Sequence, residues 1–143
     1  MMTRDIALSH LDEGFLLLKE HNLYSNDDVN HTEALDRALV TLSDDANAAE
    51  VAAAIQALYE AHKLINPKGN IDGNKIILGD YFIGVAIKLT LPIKTPVLVK
   101  TVCDNMREIG NDIYKPSLTN SKGKFLNQVD EICRRYLEDK SKQ

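Results

Sequence analysis

The chain has 143 residues, 44% of them hydrophobic and 27% charged, with a formal net charge of -4. That is enough for one domain with a real core, and the acidic balance leaves no basic footprint for nucleic acid. The longest apolar run, Ile76 to Leu91, carries Asp80 and Lys88 and falls short of the roughly 20 residues of a membrane span. The opening MMTRDIALSHLDEG places acids where a secretory leader has its apolar segment. Cys103 and Cys133 are too few for a disulfide framework and read as buried thiols of a cytoplasmic protein.

Apolar residues recur at helical spacing throughout, and no strand pattern stands out. A first helix is predicted from about Arg4 to His21, with Thr3 as its cap and Ile6, Leu8, Leu11, Phe15 and Leu18 inside. After the loop NLYSNDDVN, Asn30 and Glu33 have the spacing of a capping box, opening a short helix with Leu35, Ala38, Leu39 and Leu42 inward. The SDD at 43–45 ends it and caps the next, an alanine-rich helix from Ala46 to Ile65. NPKGNIDGN is the clearest break in the chain. A fourth helix follows over 76–91, stopped by Pro92, and Thr95-Pro96 signals the start of a fifth. The fifth is expected to bury Val99, Val102, Cys103, Met106, Ile109 and Ile113. KPSLTNSKGK reads as a loop, and a last helix buries Phe125, Leu126, Val129, Ile132, Cys133, Tyr136 and Leu137. Residues 137–143 read as a frayed tail. The expected fold is all-α, a single compact bundle of about six helices over 1–143.

The fourth helix is apolar on two faces. Leu78, Phe82, Val85 and Leu89 share one; Ile76, Ile83 and Ile87 share the other with Asp80, Gly84 and Lys88. Such a helix is either wholly covered by its own bundle or packed at home on one face and against a partner on the other. Gly79 and Gly84 each disfavour the helix by about 1 kcal/mol, which suggests close approach by a neighbouring backbone. A buried Asp80 would need a donor.

The segments KIILGDYFIGVAIKL, TPVLVK and REIGNDIY resemble part of the all-helical trans-polyprenyl diphosphate synthases, and more closely the small non-catalytic component of two-component heptaprenyl or hexaprenyl diphosphate synthases. The matching positions are Gly79, Asp80, Tyr81 and Gly84, then Glu108, Ile109 and Tyr114, within a stretch from about Ala53 to Tyr114. YEAHKLIN, with His62 and Asn66, corresponds to the helix before, although Lys63 stands where the family pattern has an acid. The resemblance implies a truncated isoprenoid-synthase-like bundle. It also implies a larger catalytic partner that carries aspartate-rich motifs and magnesium, and a product destined for a respiratory quinone such as menaquinone. Gly79, Asp80, Tyr81, Phe82, Gly84, Val85, Leu89 and Met106 then become candidates for the partner interface or the wall of the product tunnel.

A complete synthase would hold magnesium ions on carboxylates at i, i+1 and i+4 of one helix, to neutralise the departing diphosphate. Here the adjacent pairs are Asp27-Asp28 and Asp44-Asp45; four residues after their first members stand His31 and Ala48, and both pairs read as turn residues. Asp72 is a lone acid in a loop. His31, Glu33 and Asp36 scatter around a helix, and no zinc spacing, P-loop or dinucleotide turn is present. The chain is therefore expected to be inactive alone, to hold no cofactor and to form a heterodimer, with self-association when its partner is missing. The alternative is a helical adaptor or regulator with no role in isoprenoid synthesis.

Overall fold

AAEVAAAIQALYEAHK forms the axis of the molecule. In the computed structural model, which describes residues 2–21, 32–64, 73–114 and 121–142, the helices are α1 (Thr3–Glu20), α2 (Glu33–Leu42), α3 (Ala48–Lys63), α4 (Gly73–Thr90), α5 (Pro96–Tyr114) and α6 (Ser121–Ser141), with a 3-10 turn at Leu91–Ile93 between α4 and α5. No strand occurs among the described residues. Every residue of α3 from Ala48 to His62 except the half-buried Glu50 is buried, and α3 packs against all five other helices. Alanine explains this: its methyl lets helix axes come close from every side, and it carries no side-chain entropy.

The central helix is thus α3, whereas the sequence pointed to α4 as the candidate. Phe82, Ile83, Val85 and Ala86 of α4 are buried against the bundle, but Ile77, Asp80, Gly84 and Lys88 face outward. The window Ile76–Ile93, with mean hydropathy 1.7, is long and apolar enough to cross a membrane by length and composition, and only 33% of it is buried. The length argument against a span therefore does not stand. Its packing against α3 accounts for the inner half of that hydropathy.

Several local expectations are corrected. Thr3 lies inside α1, whose cap position is Met2, without a side-chain cap. Asn30 lies outside the described residues, and the first turn of α2 is capped from another helix: the Leu35 N–H donates to Gln56 Oε1 of α3 at 3.0 Å. This satisfies a helix-end donor that has no partner within α2. Pro96 opens α5 as read, and the Thr95 carbonyl accepts from Leu98 and Val99, yet the buried Thr95 hydroxyl has no hydrogen-bond partner among the described residues. Residues 121–124 begin α6 rather than belonging to a loop, and the supposed tail is helical to Ser141.

Close approach occurs at Gly14, by a side chain of α4, and not at Gly84. A Cβ built on Gly14 would lie 2.9 Å from Val85 Cγ1, whereas one on Gly84 would meet nothing within 4 Å. The Tyr81 hydroxyl donates to the Gly14 carbonyl at 2.8 Å, and Phe15 meets Phe82 edge-on at 5.1 Å. Together these contacts fix where α1 crosses α4.

Candidate subunit interface

Two buried polar joints lock α6 onto the bundle and so hold α5 in place. His62 of α3 bridges α5 and α6: its Nε2 lies 2.8 Å from Asn105 Oδ1, its Nδ1 lies 2.7 Å from Ser121 Oγ, and its ring stacks on Phe125 at 4.7 Å. The Asn105 amide nitrogen donates to the Thr101 carbonyl, so its Oδ1 is left to accept. His62 therefore carries its proton on Nε2, and Ser121 donates to the Nδ1 lone pair. A hydroxyl facing an oriented imidazole is the geometry of an activated nucleophile. Here all three side chains are buried, and the ring is sandwiched into the core, so the arrangement acts as a joint. Burial pushes the His62 pKa down, against the hydrogen bond that its ring donates to Asn105 and the charges of Glu108 and Asp112.

The second joint is Asp45, read from the sequence as a turn and capping residue. Its side chain is nearly buried and accepts from the Tyr136 hydroxyl at 2.7 Å, Lys140 at 2.8 Å and the Asn47 N–H at 3.1 Å. Burial alone would raise its pKa; the hydrogen bonds from Lys140, Tyr136 and Asn47 outweigh that and hold the carboxyl below its ordinary value. Only the SDD break hinted at this residue, because its partners are 91 and 95 positions away.

With those joints set, large hydrophobics stay exposed singly or in pairs on α1 (Leu16, Leu17) and α2 (Val40), and as a larger set along α4 and α5. Outward on α4, Ile77 is 64% exposed, and Leu91 in the following turn is 57% exposed. On α5 the core face is Leu98, Val102, Asn105 and Ile109. The flank of Val97 and Glu108 meets α6, through Asp139 and Lys124. Val99 at 42%, Met106 at 46% and the exposed Cys103 occupy the opposite flank. The expectation that Val99, Cys103 and Met106 are buried is thus overturned, and Ile113 lies outside the described side chains. The run Val97-Leu98-Val99 offers two apolar phases to a helix, and the phase that wins places Asn105 against His62.

The candidate residues divide three ways. Asp80, Gly84 and Met106 face outward. Gly79, Phe82 and Val85 are buried within this chain, so Phe82 is a core residue before it is a tunnel wall. Tyr81 and Leu89 turn toward α1; Val85 and Leu89 join His10, Glu13, Gly14 and Lys88 around a cleft of about 240 Å³. Asp80, expected to find a donor in the bundle, is exposed and makes no hydrogen bond or ion pair among the described residues. His31, Asp27, Asp28, Asn66 and Asp72 lie outside the described residues. Glu33 is 3.4 Å from the Tyr59 hydroxyl, and Asp36 pairs with Arg4 at 2.9 Å. Among the described residues no three His, Cys, Asp or Glu side chains are grouped to hold a metal ion.

Comparison with family models, curated proteins and solved structures finds no match to this chain.

Proposed function

We propose that this chain is the non-catalytic subunit of a cytoplasmic, heteromeric trans-polyprenyl diphosphate synthase, joined to a larger catalytic chain through α4 and α5. The observation that carries the reading is the uncovered apolar surface of Ile77, Leu91, Val99 and Met106, on the segment whose Gly79-Asp80-Tyr81 step resembles that family. Scattered exposed hydrophobics need no explanation, but several large ones on two adjacent helices mark an interaction surface. Magnesium and the aspartate-rich motifs belong to the partner in this reading. The subunit supplies an interface in this reading, and Ile77, Leu91 and Met106 are the exposed side chains it offers to a growing prenyl chain.

The test is turnover of isopentenyl diphosphate with farnesyl diphosphate, measured for this chain, for the aspartate-rich prenyltransferase chain of the same genome, and for both. Long-chain product is expected from the mixture only. Turnover by this chain alone, or full activity with unchanged product length from the large chain alone, contradicts the proposal. The same surface would also serve a helical adaptor outside isoprenoid synthesis; that reading predicts no association with the large chain.

A further inference from the structure

We infer that the outward face of α4 receives one helix of the partner across Gly84, and that this helix brings an arginine or lysine to Asp80. The inference rests on the subunit reading above and gives that partner a chemistry. Asp80 is the acid left over on this face. Asp104 of α5 is held by Lys100 at 2.8 Å and by Arg107 at 2.7 Å, and Glu108 pairs with Lys124 at 3.4 Å. One turn to either side of Asp80 stand Ile76, Ile77, Ile83 and Gly84, none of which has a side-chain donor. The cation on this face of α4, Lys88, stands two turns away, about 12 Å along the helix, too far to pair with Asp80.

A carboxylate set among large apolar side chains would be stranded if a wholly apolar partner covered it. Covered by a helix bearing a cation, it becomes a paired and register-setting charge. Gly84 lies one turn from Asp80, and the space above it is open. A partner helix can therefore come closer there than over any other residue of the stripe. Glycine in a helix interior is unfavourable by about 1 kcal/mol, and among the described residues nothing packs over Gly84 to offset that.

The experiment measures association of the full chain with the aspartate-rich prenyltransferase chain by titration calorimetry at low and high salt, for wild type, Asp80→Asn, Asp80→Lys and Gly84→Ala. Asp80→Lys is expected to weaken association by about 30-fold or more, and Asp80→Asn by less, with the wild-type affinity falling as salt rises. Gly84→Ala is expected to weaken association while raising the melting temperature of the isolated chain, a combination that a purely structural glycine would not give. Thermal melts of the isolated Asp80 variants should match wild type, which separates lost binding from lost folding. Wild-type binding that is unchanged by all three substitutions overturns this inference and leaves the subunit reading standing. Absence of wild-type binding overturns both. Binding to phosphatidylglycerol vesicles that Asp80→Lys strengthens would replace the partner helix with a membrane surface.

Discussion

His62 shows how one side chain can set the orientation of two helices. Its imidazole joins α3 to α5 through Asn105 and to α6 through Ser121, and its depressed pKa makes the joint sensitive to acid. Above the ordinary histidine pKa of about 6.5 the ring is neutral in both folded and unfolded chains and adds no pH dependence. Below it the unfolded chain takes a proton that the folded chain resists, so stability falls from about pH 6.5 down to the folded pKa. Urea unfolding should show that slope, and His62→Ala should reduce it while lowering stability at pH 7.5 by about 2–4 kcal/mol, through lost packing and two stranded partners. Asp45 works the same way at the other end of α6. Asp45→Asn keeps the shape but removes the charge that Tyr136 and Lys140 donate to, and should cost about 1.5–3 kcal/mol in the same measurement. Neither role was legible from sequence. Both depend on contacts across many positions, and the sequence tied His62 only to the helix before the Gly79-Asp80-Tyr81 step.

At the scale of elements, the sequence read best where local chemistry decides. Pro92 and the Thr95-Pro96 step placed the α4–α5 junction to within a few residues, and the apolar positions of α6 were read in the right phase. It read poorly where a neighbour decides. The phase of α5 was lost because Val97-Leu98-Val99 supports two registers, and only the demand of His62 for Asn105 chooses between them. Hydropathy singled out α4 as a helix that its own bundle could enclose, whereas small side chains govern which helix can be surrounded. Gly14 is the element-scale position most open to test. With Val85 Cγ1 at 2.9 Å from a built Cβ and Val85 stiff about χ1, Gly14→Val should force α1 off α4 and lower stability by about 1–3 kcal/mol, read by thermal melts. Tyr81→Phe, which removes only the hydrogen bond to the Gly14 carbonyl, should cost about 1 kcal/mol.

For the whole molecule, the two cysteines report on opposite sides of the account. Cys133 is buried on α6, and its thiol is pushed up to about 12 by burial and by the charge of Asp130, so it should react with a maleimide only on unfolding. Cys103 is exposed on the α5 flank beside Val99 and Met106, within the surface assigned to the partner. Timed maleimide labelling read by mass spectrometry, on the chain alone and after assembly with the aspartate-rich prenyltransferase chain, therefore tests the central claim without any substitution. The account predicts one fast adduct, at Cys103, on the isolated chain and its suppression in the assembled pair, with Cys133 protected in both. Assembly that leaves Cys103 labelling at its original rate would contradict the α4–α5 interface.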